Sequence, residues 1–218
     1  KMLQGAIFDM DGLLFDSERV WDSLWPVCFQ KMGLPLPPDS FYTEGRGMAG
    51  KIYAEHVRKY YPDADVPALI RLLLRLGDQR FAQGVPMKKG ALELLAYLRA
   101  QNIPCVVASS SPRSMIENNL RYAGIASYFY ALVSGQDVSR SKPDPEIFLL
   151  AASKLQAEIS RCVVLEDSPN GVRAGHAAGA ITIMVPDLIA PDPQIQKLYT
   201  FCCLDLSEVK TLLEQTKR

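Results

Sequence analysis

Four short polar clusters, each at the end of an apolar run, carry the residue types that could do chemistry in this chain. Ala6-Ile7-Phe8 runs into Asp9-Met10-Asp11-Gly12. In extended chain Asp9 and Asp11 point to the same side and Met10 to the other. Two carboxylates facing one spot repel, so they call for a cation or a proton. Val163-Val164-Leu165 likewise ends in Glu166-Asp167. Two acidic pairs at strand ends of one sheet suit a hard cation such as Mg2+, which takes oxygen ligands and keeps room for a substrate phosphate. The two histidines, His56 and His176, have no plausible metal-binding partner, so a metal must be held by oxygen. Val106-Val107-Ala108 ends in Ser109-Ser110-Ser111-Pro112, where Ser111 reads as a helix N-cap and Pro112 as the first helical residue. Hydroxyls and free backbone N–H groups at a helix start make a phosphate site. In Ser141-Lys142-Pro143-Asp144-Pro145 the reading is similar, with Asp144 as N-cap and Pro143 forcing Lys142 into extended backbone.

The elements that must position these groups follow from periodicity. Short apolar runs at Ala6–Phe8, Pro104–Ala108, Ala131–Ser134, Cys162–Leu165 and Ile181–Val185 read as buried strands. Helical patterns fall between them: Ala91 to Leu98, Pro112–Tyr122, Pro145–Leu155 and Asn170–Ala178. That alternation predicts a parallel α/β sheet with right-handed crossovers. The segment after the first strand breaks it. Glu18–Lys31, Lys51–Tyr61 and Pro67–Phe81 are amphipathic helices with no strand among them. The expected organisation is therefore a core of residues 1–16 and 83–218, with a helical insertion at 17–82. Tyr199–Leu204 reads as an edge strand and Leu206–Gln215 as a last helix.

Taken together, DMDGLLFDSE, the serine run at 109–111, SKPDPEIF and VVLEDSPNG resemble motifs I to IV of the haloacid dehalogenase (HAD) superfamily. The branch is that of beta-phosphoglucomutase and the small sugar-phosphate phosphatases. The resemblance spans the whole core, with the motifs in order, and implies a Rossmann-like α/β sheet with an inserted all-α cap domain. It implies Asp9 as nucleophile, forming an aspartyl phosphate, and Asp11 as general acid/base. Ser109 and Lys142 would hold the transferring phosphoryl group. Asp9, the backbone carbonyl of Asp11, Asp167 and Glu166 would bind Mg2+. Ser110, Ser111 and Arg113 after motif II, and Arg46 in the glycine-rich 43–50 loop, are candidate substrate contacts. Asp11 argues against a haloacid dehalogenase proper, which needs no acid for its leaving group.

The acceptor is water in a phosphatase and a second sugar hydroxyl in a mutase. The mutase has a histidine shortly after motif I, where this chain has Trp21, and DSExxW is closer to the phosphatases. A phosphatase is expected, with a phosphohexomutase as the alternative. A receiver domain would place its acceptor aspartate mid-chain and lack the insertion. A silent phosphate-binding module gives no reason to keep Asp9, Asp11, Lys142 and Asp167 together. Lys+Arg and Asp+Glu are equal at 24 each, so no basic excess points to nucleic acid. No apolar run reaches membrane-helix length, no signal peptide is read, and the five cysteines lack zinc or redox spacing. The expected protein is a cytoplasmic monomer acting on a small phosphorylated metabolite.

Overall fold

The computed structural model describes residues 3–45 and 50–216, with the side chains of residues 50 and 51 also left undescribed. The chain forms two compact units, one of Lys1–Asp16 with Val85–Arg218 and the other of Ser17–Gly84.

The larger unit is built on a six-stranded sheet whose pairings are all parallel. Its strands are β1 (Gly5–Phe8), β2 (Cys105–Ser109), β3 (Phe129–Ser134), β4 (Cys162–Glu166), β5 (Ile181–Met184) and β6 (Phe201–Cys202). They lie in the order β3-β2-β1-β4-β5-β6. β1, β2 and β4 are buried at every residue, as expected of parallel strands covered on both faces. Ile7 pairs with Val106 on one side and Val164 on the other. The order reverses at β1, the kind of switch point where open α/β sheets place their ligand crevice. Helices α5 (Ala91–Ala100), α6 (Arg113–Tyr122), α7 (Glu146–Lys154), α8 (Pro169–Ala178) and α9 (Leu206–Gln215) complete this unit. Phe148 and Ala151 of α7 and Ala174 of α8 pack with Ile7, Val106, Val133 and Val164 in one apolar cluster. The edge strand expected at Tyr199–Leu204 shrinks to the two residues of β6.

The helical unit consists of α1 (Ser17–Lys31), α2 (Asp39–Gly45), α3 (Gly50–Tyr60) and α4 (Val66–Phe81). Its core is Trp25, Phe29, Phe41, Val57, Tyr61 and Leu69. Asp65 caps α4 by accepting from the Ala68 N–H at 2.9 Å, with Pro67 in the first turn. Trp21 packs on the ring of Phe81, centroids 4.9 Å apart. No helix among the described residues is long and apolar enough to cross a membrane.

Where the chain leaves and re-enters the α/β unit, the two passages are zipped together. Asp16 N–H donates to the Pro86 carbonyl (2.9 Å) and Lys88 N–H to that of Leu14 (2.8 Å), around an antiparallel bridge between Phe15 and Met87.

Candidate active site

β1 delivers Asp9 and Asp11. Asp9 continues the ladder, its N–H donating to Leu165 O at 3.0 Å. The chain then turns back sharply. The N–H groups of Leu14 and Phe15 both donate to Met10 O (3.0 and 3.1 Å), and Gly12 N–H donates to Phe15 O (2.9 Å). Gly12 sits at φ +80°, and a Cβ there would collide with the Asp167 carboxylate. Only glycine serves at such a position. Met10 is fully buried behind the strand end, while Asp9 keeps 6% of its surface exposed.

Two acids grip one lysine, and a third lies beside them. Lys142 Nζ donates to Asp9 Oδ1 (2.5 Å), Glu166 Oε1 (2.6 Å) and the Ala108 carbonyl (3.2 Å), with the Phe148 ring centroid 4.9 Å away. Carboxylate oxygens of Asp9, Glu166 and Asp167 lie within 4.8 Å of one another. Glu166 is fully buried, and its other oxygen accepts from the Ser168 N–H and hydroxyl, both at 3.0 Å. Gly171 on α8 permits this, because a Cβ there would lie inside the Glu166 carboxylate.

Burial pushes the Asp9 carboxyl well above the usual carboxylate range. Lys142 opposes that push, and Glu166 and Asp11 add to it. Burial by itself would lower Lys142, but the Asp9 and Glu166 carboxylates outweigh it and hold the ammonium above its ordinary value. Lys142 therefore stays charged, and three acids against one cation leave the cluster short of positive charge. The donor set is all oxygen. It fits a hard divalent cation, for which Asp9, Glu166 and Asp167 each offer a carboxylate oxygen.

Asp11 faces the serines instead. Its Oδ2 accepts from the Ser111 hydroxyl at 2.7 Å and from the Ser109 hydroxyl at 3.3 Å. Ser109 Oγ also accepts from the Ser111 N–H at 3.1 Å. The two carboxylates thus lie in different surroundings, Asp9 beside an ammonium and Asp11 beside hydroxyls.

A family model of haloacid dehalogenase-like hydrolases matches residues 3–179. The chain is a haloacid dehalogenase-like hydrolase. It is 34% identical over 185 residues to a validoxylamine A 7'-phosphate phosphatase of Streptomyces hygroscopicus subsp. limoneus, covering 84% of this chain and 85% of that one. It is 41% identical over 204 residues to a bifunctional riboflavin kinase/FMN phosphatase of Arabidopsis thaliana, covering 92% of this chain and 52% of that protein. A crystal structure of a HAD family hydrolase from Deinococcus radiodurans R1, with bound phosphate and sodium, matches at a TM-score of 0.83 and 26% identity, covering 99% of this chain and 96% of that one. The hydrolase is thus a phosphatase or a phosphomutase.

The remaining expected site residues of this hydrolase scatter. Ser111 does not cap α6. That helix starts at Arg113 behind Pro112, without a side-chain cap, because the Ser111 hydroxyl is drawn off to Asp11. Asp144 stands one residue outside the expected cap position, since α7 starts at Glu146 behind Pro145, and its Oδ1 accepts from the Glu146 N–H at 3.0 Å. Ser110 is exposed. The Arg113 guanidinium is taken by Asp137 at 2.7 Å, which ties it to the end of β3. Arg46 lies outside the described residues. Sequence reasoning passed over the Ser134 and Asp137 capping box that holds the 134–137 turn, and the Lys88–Asp187 ion pair at 2.6 Å. The Ser-x-x-Asp spacing at 134–137 was the available signal for the first. The second, joining residues 99 apart, left none.

Proposed function

We propose that this hydrolase is a Mg2+-dependent phosphomonoesterase acting on a small sugar phosphate, or a similar polyol or nucleotide-like phosphate, through an aspartyl phosphate on Asp9. The supporting observation is the partition of the two motif I acids. Asp9 is paired to the Lys142 ammonium, while Asp11 is turned to hydroxyls. Asp9 attacks phosphorus in line as the bond from phosphorus to the substrate oxygen breaks. Asp11 gives its proton to that oxygen and then takes one from the water that cleaves the aspartyl phosphate, releasing inorganic phosphate. Ser109 and Lys142 steady the phosphoryl oxygens, and Glu166 keeps Lys142 in place. Asp9, Asp167 and the Asp11 carbonyl would hold Mg2+, which when bound neutralises phosphoryl charge.

We assign substrate choice to the helical unit, as a cap. Water is favoured as acceptor because Trp21, standing where the mutase histidine is expected, is packed on Phe81. His56, the histidine of the helical unit, is buried and hydrogen-bonded to the Phe41 carbonyl at 2.8 Å. We read the protein as a cytoplasmic monomer with reduced cysteines.

The test is phosphate release from a panel of hexose, polyol and nucleotide-like phosphates with Mg2+, with Asp9→Asn as the blank. The same mixtures are assayed for interconversion of beta-glucose 1-phosphate and glucose 6-phosphate. Release that disappears in Asp9→Asn is the expected result. Isomerisation with little release would replace the reading by a mutase, and silence in both assays would refute it.

A further inference from the structure

We infer that Ser111 is a positioning residue for Asp11, not a contact for the substrate; this rests on the acid/base role proposed above for Asp11. A serine hydroxyl carries one proton to donate. The Ser111 proton goes to Asp11 Oδ2 at 2.7 Å, the usual length of an O–H···O bond. The Ser109 hydroxyl is 3.3 Å from the same oxygen, and once Ser109 turns its proton to a phosphoryl oxygen, Ser111 is the donor left to Asp11.

Ser111 is itself held from two directions. Its N–H donates to Ser109 Oγ at 3.1 Å, and its carbonyl accepts from the Ser134 hydroxyl at 2.8 Å. Ser134 is fully buried at the end of β3 and belongs to the capping box closed by Asp137, which also takes Arg113. The hydroxyl that reaches Asp11 is thus fixed to the sheet and not carried on a loose loop.

The two oxygens of Asp11 are consequently unlike. Oδ2 is occupied, and Oδ1 is buried with no hydrogen-bond partner in the structure. The Ser111 bond thus fixes how the Asp11 carboxyl is turned. As the bond from phosphorus to the substrate oxygen breaks and that from phosphorus to Asp9 forms, Asp11 in its proposed role passes a proton to the departing oxygen, giving the free alcohol. Asp11 is left as a carboxylate still accepting from Ser111.

A group that positions the acid matters only when the leaving group needs a proton. The experiment measures kcat/KM for p-nitrophenyl phosphate, phenyl phosphate and glucose 6-phosphate in wild type, Ser111→Ala, Ser111→Thr and Asp11→Asn, with thermal midpoints as the folding control. General acid catalysis is worth about 10²–10⁴-fold, of which lost positioning should remove roughly 10–100-fold. Ser111→Ala is expected to lose that factor on glucose 6-phosphate and less than about 3-fold on p-nitrophenyl phosphate, with Ser111→Thr restoring most of it. Equal losses on all three esters, or no loss, would overturn the inference. Asp11→Asn separates the two levels. Leaving-group selectivity in Asp11→Asn without any in Ser111→Ala sinks the role of Ser111 alone, whereas no selectivity in Asp11→Asn sinks the acid role beneath it.

Discussion

Replacing Gly171 by alanine should destabilise this protein, although the general rule for helices says the reverse. Within a helix, alanine is favoured over glycine by about 1 kcal/mol. At position 171 the new methyl group would fall inside the Glu166 carboxylate. To regain ordinary van der Waals contact the carboxylate must retreat on the order of 1 Å or more. Glu166 has no slack for that. It is fully buried, bound to Lys142 at 2.6 Å and to Ser168 N–H and Oγ at 3.0 Å each. Breaking a buried, hydrogen-bonded ion pair costs about 3–5 kcal/mol. Set against the helix gain of about 1 kcal/mol, the net loss is about 2–4 kcal/mol. For a chain of this size each kcal/mol shifts the midpoint by about 2–4 °C, so a fall of roughly 10 °C is expected. The assay is scanning calorimetry of the α/β transition in chelator-treated protein, with Mg2+-dependent phosphate release measured alongside. An unchanged or raised midpoint with normal turnover would mean that Glu166 is not clamped as described.

Lys142→Met leaves Asp9 and Glu166 facing each other without their shared cation; a loss of about 3–5 kcal/mol in chemical denaturation is expected, with turnover down roughly 10³-fold. Mg2+ at about 100 times its Kd should raise stability by about 2.7 kcal/mol, and Asp167→Asn should abolish that rise in the same melts. The Ser134 N–H and the Arg113 guanidinium hold Asp137 below the usual carboxylate range against the opposing effect of burial. A carboxyl depressed in the folded state contributes stability above its unfolded pKa and loses it as pH falls through the folded value. Asp137→Asn should therefore lower stability by about 0.5–1 kcal/mol at pH 7 in urea titrations, allowing for solvent screening, and the gap should close as pH falls through the depressed Asp137 range. Asp187 keeps only 2% of its side chain exposed beside Lys88, so Lys88→Met should be less stable than Lys88→Met/Asp187→Leu, with a coupling of about 1–3 kcal/mol in a double-mutant cycle.

The sheet could be read from sequence because its strands are buried on both faces. Ala6-Ile7-Phe8 and Val163-Val164-Leu165 are unbroken apolar runs that end abruptly in acids. α2 escaped notice because seven residues are too few for a helical period to show. Asp9, Glu166 and Asp167 could be singled out by standing at strand ends and Lys142 by its place between constrained residues in SKPDP, and the structure gathers them. It also orders the acidic pair in a way sequence could not, with Glu166 fully inside and Asp167 partly exposed. Ser111 was misread for a physical reason. Ser-Pro is a sound local signal for a helix start, but a carboxylate 100 residues away in sequence competes for the hydroxyl and wins. Arg113 illustrates the same limit, its partner Asp137 lying 24 residues on, across a turn.

The place of β1 in the sheet has a consequence for biosynthesis. The strand that carries Asp9 is made before its neighbours, yet it lies between β2 and β4, whose last residues are Ser109 and Glu166. At about 5–20 residues per second, a ribosome needs roughly 8–30 s to get from Phe8 to Glu166. β2 is finished at Ser109, about 5–20 s after Phe8, and from then until Glu166 one edge of Gly5–Phe8 is still without its neighbour; an apolar strand with an open edge is prone to pair with other chains. A chain interrupted before Glu166 would hold Asp9 but lack Glu166, Asp167 and a completed β4, the strand that receives the Asp9 N–H. Phosphate release would therefore report chains synthesised at least through β4, and overproduction at high temperature should lose protein to aggregation during translation.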